Sequence, residues 1–417
     1  MLRQSVCCAL CLFVVASFTN AAEDWPQFRG PNRDDISSDK GLLKKWPKDG
    51  PPLLWKARGL GEGYSSIAIA GGKIFTMGDV GDSSYVVALD GKDGTKLWSA
   101  KVGEPGGHYK GTRCTPTVDG DRVYALGQFG DLVCLRVADG SEVWRKSLPK
   151  DFKGNSGHWH YTESLLVDGD KLVCTPGGKE ATLTALDKKS GSVIWKAAVP
   201  GGSSAGYSSI VISEAGGIRQ YVQLLAAGVV GIDAKSGRFL WKYDKFAGNT
   251  ANVPTPIVHG DYIFCTAGYS RGGALLKLSA ADEGIKVNEE YYKKNALKNR
   301  HGGVVLVGDY VYGDLDHNGR PWCARWKTGA LVWEKKGGGP GAGSAAVTFA
   351  DGHLYFRYQN GVVALVEPAP TAKSYKEIST FKPPTVKPPS WSHPVVVGGK
   401  LYLREQDNLF CYDIKAK

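Results

Sequence analysis

After residue 18 the sequence has no apolar run long enough to cross a membrane. It has no dense basic run and no basic helix pattern, so nothing marks a nucleic-acid surface. A phosphate-cradling glycine loop, a Gly-x-Ser-x-Gly elbow and a His-Glu-x-x-His pair are all missing, which removes the commonest phosphate, serine-hydrolase and zinc-protease signatures. The glycine-rich stretch at 337–344 leads into a strand pattern, not a helix. No Cys-x-x-Cys-His occurs, so no c-type haem is expected. Of nine cysteines, three (Cys7, Cys8 and Cys11) fall in the first eleven residues. Five of the other six, Cys134, Cys174, Cys265, Cys323 and Cys411, replace a small residue at equivalent places in a repeat, so they read as buried core fillers and not as a disulfide framework.

What is present begins with an export signal. A single Arg3, an apolar run from about Val6 to Phe18 and small residues at Ala21 and Ala22 form a signal peptide, assigned to residues 1–21. Residues 22–50 then read as an N-terminal arm and 51–417 as one folded unit. The expected location is the periplasm or the outside of a bacterial envelope. The formal charge of +11 in the whole chain comes from lysines scattered through turns, which keep such a surface solvated and admit anionic partners. The partner classes expected are a cell-envelope protein or a glycan, with nucleic acid excluded by export.

The dominant feature is a repeat. ALDGKDGTKLW (88–98), CLRVADGSEVW (134–144), ALDKKSGSVIW (185–195), GIDAKSGRFLW (231–241) and CARWKTGALVW (323–333) all carry Gly at the seventh place and Trp at the eleventh. A sixth copy, near IKVNEEYY, keeps the spacing without the Trp. Short alternating strands such as RVYAL (122–126) and KLYLR (400–404) follow Gly-Asp turns, giving units of four antiparallel strands, A to D. Units of this size are propeller blades. Strand B recurs near residues 73, 122, 171, 218, 262, 310, 353 and 400, which predicts an all-β, eight-bladed β-propeller. The final copy, CYDIKAK, stops before its Trp, and PPLLWKARG (51–59) supplies it as Trp55. The N-terminal strand is therefore expected to complete the last blade, and each Trp to pack on a neighbouring blade.

The pattern Ala-x-Asp-x-x-Thr-Gly-x-x-x-Trp resembles the tryptophan-docking motif of pyrroloquinoline-quinone (PQQ) type propellers. Asp90, Asp187, Asp233 and Asp413 match its third place; Arg136 and Arg325 depart from it. The opening DWPQFRGPNRDDIS is similar to that of exported PQQ-like repeat proteins. The superfamily holds quinoprotein alcohol dehydrogenases, which bind PQQ and Ca²⁺, and the outer-membrane assembly factor BamB, an interaction scaffold. The dehydrogenases use an adjacent Cys-Cys pair against PQQ, and here Cys7-Cys8 lies within the signal. The resemblance thus implies a binding scaffold without an assigned cofactor. A PQQ-dependent or PQQ-like oxidoreductase of alcohols or sugars, using PQQ with Ca²⁺, is the alternative.

A site is expected on the irregular face that holds the D-to-A connections. These segments carry His108, Tyr109, Arg113, His158, Trp159, His160, Glu163, Arg300, His301, Trp391 and His393, joined from the B-to-C side by His317, Arg320, Arg357 and Arg404. The candidate ligand-binding set is Tyr109, Arg113, His158, Trp159, His160, Glu163, Arg300, His301, Trp391 and His393. Three readings fit these side chains: mutual hydrogen bonding that plugs the channel, an anionic or polyhydroxylated ligand held by arginines and aromatic rings, or a metal held by histidines with Glu163. On an extended strand His158 and His160 would point the same way. His259 and His353 are expected in solvent on the opposite face.

Overall fold

A computed structural model describes residues 24–248, 250–282, 284–316, 318–337 and 339–417. The signal assignment and Cys7, Cys8 and Cys11 lie outside the described residues, as does His317. The chain forms eight four-stranded antiparallel sheets, which are the blades of a β-propeller. Strand A, the shortest in most blades, is innermost, as in Ala68–Ala70, Thr117–Asp119 and Leu166–Asp168 of blades 1 to 3. Blade 8 contains Val395–Val397, Lys400–Glu405 and Asn408–Asp413, and Leu53–Ala57 pairs with the last of these as strand D. The expected closure by the N-terminal strand is therefore observed, and it pairs the outer edge of the last blade.

The repeat has a direct physical meaning. Within a blade the Trp of strand D stands opposite the first residue of the motif, as in Ala88 with Trp98, Cys134 with Trp144 and Cys411 with Trp55. Between blades that Trp covers the motif glycine of the next one. A Cβ on Gly140 would fall 2.5 Å from the Trp98 ring, and one on Gly191 would fall 2.9 Å from the Trp144 ring. These glycines also hold φ of +75 and +72, so both the backbone and the stacking require the absence of a side chain. Blade 5, the copy without Trp, places Tyr291 opposite Leu275 and lays it on Gly329 of blade 6. Its hydroxyl donates to Trp326 O at 3.0 Å.

A second repeated device lies around the channel. Ser66 N donates to Thr115 Oγ1, Thr115 N to Ser164 Oγ, Ser164 N to Ser209 Oγ and Ser209 N to Thr255 Oγ1, at 2.9–3.2 Å. One hydroxyl residue per blade thus links blades 1 to 5 into a collar, satisfying backbone donors that the short inner strands leave unpaired. The six described cysteines are free and buried, as core fillers should be.

Strand B of blade 4 starts at Gln220, two residues after the expected place, because a 3-10 turn at Ala215–Gly217 occupies the connection. The arm differs more. Instead of trailing from the ring, residues 24–37 run into the channel. Trp25 bridges Ile69 of blade 1, Val118 N of blade 2 donates to Pro26 O at 2.8 Å, and Ser37 N donates to Phe349 O of blade 7 at 2.8 Å. At its apex Arg29 reaches Val304 O of blade 6 at 2.6 Å, and Arg33 reaches Ser164 O and Leu165 O of blade 3 at 2.6 and 2.9 Å. Beyond the channel Leu42 and Trp46 bury themselves against blades 7 and 8. His353, expected in solvent, is half-buried beside this segment, where Lys44 binds Asp351 at 2.6 Å. His259 is exposed as expected.

Candidate functional site

The arm enters among the A-to-B ends of the inner strands, so its apex forms the floor of a cup that opens on the D-to-A face. The cup has a volume of about 270 Å³, and Phe28 and Arg29 line its base. Its walls come from successive D-to-A segments: Tyr64, Tyr109 with Arg113, Trp159, Tyr207, Arg300 with His301, and Trp391 with His393, together with Tyr269 and Gln359 from B-to-C turns. Because these connections do not belong to regular strands, their sequence varies freely from blade to blade while the collar below stays fixed.

The rim is a chain of aromatic contacts. Tyr109 lies 5.0 Å from Trp391 and 5.8 Å from Trp159, Tyr64 lies 4.9 Å from Trp391, and His301 lies 4.5 Å from Trp391. His108 is exposed and stacks on the outside of this group, 5.6 Å from Trp159. The cations are placed among the rings. Arg113 lies over Tyr64 at 5.9 Å and Arg300 over Tyr269 at 4.0 Å. Arg300 is neutralised by Asp316 at 2.7 Å. Arg113 instead donates to Gln128 Oε1 at 3.2 Å and to Tyr109 O at 2.7 Å, and burial pulls its guanidinium below the ordinary value.

At the floor, Asp35 Oδ2 lies 3.0 Å from both Arg29 Nε and His393 Nδ1. The His393 ring is also 4.9 Å from Phe28. These are buried groups held by the arm, so the lower wall of the cup is as fixed as the collar beneath it.

Of the ten candidate ligand-binding residues, the structure brings seven to the cup: Tyr109, Arg113, Trp159, Arg300, His301, Trp391 and His393. Three stand elsewhere. Glu163 is buried between blades 3 and 4, where Oε1 accepts from Thr175 N at 2.5 Å and Oε2 from Thr175 Oγ1 at 2.7 Å. Thr162, its neighbour, takes the cup side, as strand alternation requires. His158 is exposed, and His160 packs on Phe129 at 4.8 Å. His160 has φ of +65, so the extended geometry that would have aligned the two histidines is absent. Among the described residues no group of three His, Cys, Asp or Glu is placed to hold a metal ion.

The B-to-C arginines are structural. Arg357 and Arg404 are buried: Arg357 binds Glu405 and donates to Ser392 O at 3.1 Å, while Arg404 reaches across to Thr76 Oγ1 at 3.0 Å and Gly61 O at 2.8 Å. Burial lowers Arg404 to about 9. Arg320 pairs with Glu334 away from the cup. Sequence reasoning missed Phe28 and Arg29 as cup residues, and Asp35 as the group that holds Arg29 and His393 behind it. The clue was the unusually polar arm RGPNRDD, which has no amphipathic pattern of its own.

The fit to Ca²⁺ and PQQ can be judged from these side chains. No carboxylate lines the cup among the described residues, whereas a hard divalent cation needs several oxygen donors. Among the rim rings that touch one another the smallest interplanar angle is 34°, between His301 and Trp391. The residues present do not fit the calcium–quinone pair.

Comparison with known proteins places the chain among similar folds. BamB from Shewanella oneidensis is 24% identical over 261 residues, which span 57% of this chain and 60% of that protein. The match thus reaches less than two thirds of the relative's length. The crystal structure of BamB from Moraxella catarrhalis superposes with a TM-score of 0.61 at 16% identity, covering 88% of this chain and 98% of that one. Quinohemoprotein alcohol dehydrogenase from Comamonas testosteroni gives 0.65 at 12% identity, covering 95% and 81%. These two likenesses speak for the fold alone. The sequence profile described as outer membrane protein assembly factor BamB matches residues 36–158 and 82–335, which together span well over half of the chain. The chain belongs to that family of PQQ-like propellers.

Proposed function

We propose that this protein is an exported, non-catalytic scaffold of the bacterial envelope that binds a partner through the cup and the irregular face around it. The observation that carries the reading is the contrast between the two faces. The A-to-B and C-to-D face is built from near-identical turns and is entered by the arm. The other face gathers ten aromatic, cationic and imidazole groups around one cavity. Such a concentration of rings and guanidinium groups, rimmed by exposed Tyr109 at 38%, is the composition of recognition surfaces.

Support for the envelope location comes from the signal-like N-terminus and from membership in a family described by an outer-membrane assembly role. No helix among the described residues is long and apolar enough to cross a membrane. Calcium–quinone oxidoreductase chemistry is not favoured, because no carboxylate lines the cup to hold Ca²⁺.

A photo-cross-linking residue at Tyr109, compared with one at Lys189 in an opposite-face turn, tests the reading in cells making the full chain. Adducts that form from Tyr109 and not from Lys189 are the expected result. Equal adducts from both positions would count against it, as would dye-linked alcohol oxidation when purified protein receives PQQ and Ca²⁺.

A further inference from the structure

Arg29 is 1% exposed and lines the floor of the cup, yet its Nη1 finds no hydrogen-bond acceptor among the described residues. Its Nη2 is taken by Val304 O and its Nε faces Asp35. A desolvated guanidinium N–H without an acceptor costs stability unless something else accepts from it. Arg113, in the wall of the same cup, has no carboxylate partner among the described residues; its contacts are an amide oxygen and a main-chain carbonyl. With Arg300 paired to Asp316 and Arg29 to Asp35, and no acidic residue lining the cup, the positive imbalance facing the cavity comes from Arg113.

The rings define the body that such an anion must carry. Tyr109 meets Trp391 at 65° and Trp159 at 43°, and Tyr64 meets Trp391 at 42°. Ring faces of this kind pack against the C–H surfaces of a puckered ring, and the polar groups beside them favour one that carries hydroxyls. The volume of about 270 Å³ lies at the lower end of ligand sites, so a single ring-sized group fits and a polymer segment does not. Gln359, whose Oε1 accepts from Trp391 Nε1 at 2.9 Å, keeps its amide N–H groups for a ligand hydroxyl, and the tyrosine hydroxyls at the wall both donate and accept.

We infer that the cup is a receptor for a hydroxylated six-membered ring bearing one carboxylate, a uronic-acid type sugar, with the carboxylate held by Arg113 and the ring against Tyr109 and Trp391. This inference rests on the cup being the recognition site proposed above. The same ring is presented by a free sugar acid and by the end of an acidic glycan.

Titration calorimetry on the purified full-length protein, with D-glucuronate, D-glucose and a short oligogalacturonate, tests it. Glucuronate is expected to bind and glucose to bind far more weakly. Affinity is expected to fall as salt rises and to fall about tenfold or more in Arg113→Gln, the loss of one charge-assisted hydrogen bond. Arg113→Lys should recover part of it. Tyr109→Ala, at a rim position that does not hold the fold, should weaken binding with an unchanged melting curve, and covers the case in which Arg113→Gln fails to fold. Tighter binding of the oligomer identifies a chain end as the source, and equal binding identifies the free acid. Glucose binding as tightly as glucuronate, or neither acid binding, overturns the inference. So does a peptide with a free C-terminal carboxylate binding where both sugar acids fail. Cross-linking from Tyr109 that persists without sugar-acid binding would remove the ligand class and leave the scaffold reading intact.

Discussion

Trp55, near the start of the propeller, covers Gly94 of blade 1: a Cβ on that glycine would lie 2.7 Å from the indole. The contact is the ring's closing copy of Trp98 on Gly140. It joins blade 8 to blade 1 through a residue that arrives 356 positions before Cys411, its partner across the strand pair. Closure is thus made by the same interaction that joins blades 1 to 2, 2 to 3 and 3 to 4.

Trp55→Ala is expected to destabilise the protein by about 3 kcal/mol, the low end for truncating a large aromatic ring that is only partly buried. Gly94→Ala should destabilise by about 1–3 kcal/mol, since it adds a clash to a φ of +77. Urea unfolding of each variant measures both. A loss at Gly94 of no more than a surface substitution would show that the joint is not under steric control.

The arm gives a second expectation. Arg33 is 5% exposed and donates to Ser164 O, Leu165 O and Gln27 Oε1, and burial lowers its guanidinium to about 10. Arg33→Ala leaves two buried carbonyls of blade 3 without that donor, so a loss of about 2–4 kcal/mol is expected. Limited proteolysis should then cut the arm ahead of the blades, while native protein resists cleavage there.

These two regions show what sequence could and could not reveal. The blades were readable because Gly94, Gly140, Gly191 and Gly237 each meet the Trp of the preceding blade, so one contact leaves four related imprints. The role of the arm was not, because Arg29 and Arg33 bind main-chain carbonyls more than a hundred residues away, and a carbonyl leaves no mark in the sequence. The cup was readable in part. Grouping the polar residues of the D-to-A segments found Tyr109, Arg113, Trp159 and Trp391. It also swept in Glu163, whose side chain takes the other side of the chain from Thr162. His160 escaped the extended-strand argument through its positive φ, which its sequence context does not announce.

Cys114, Cys134, Cys174, Cys265, Cys323 and Cys411 are free and buried, and burial raises every one of these thiols, Cys134 to about 11 and Cys411 to about 12. The thiolate is the reactive form, so native protein should label slowly at neutral pH. After denaturation all six should react with a maleimide without prior reduction. Mass spectrometry of the mature chain that finds fewer than six adducts would contradict the core-filler role.

Glu163 supplies a pH dependence whose sign is fixed by its surroundings. Burial raises its carboxyl from the ordinary 4.5 to about 7, against the hydrogen bonds from Thr175 that favour the ionised form. The folded state therefore holds a proton that the unfolded chain has already released above about 4.5. Stability from this group is full below that value and declines as pH rises towards 7, the reverse of a salt-bridged carboxylate. Asp314, buried between blades 6 and 7 and raised to about 8, adds a decline of the same sign over a wider range. Glu163→Gln keeps a neutral acceptor for Thr175 and cannot ionise, so its unfolding free energy should vary less with pH between about 4.5 and 7 than that of the parent. Asp314→Asn should flatten the remaining slope up to about 8. Thermal unfolding across this interval decides the matter. Parallel pH profiles for Glu163→Gln and the parent would mean that Glu163 is ionised in the fold and that Thr175, with Gln223 at 3.4 Å, compensates its burial.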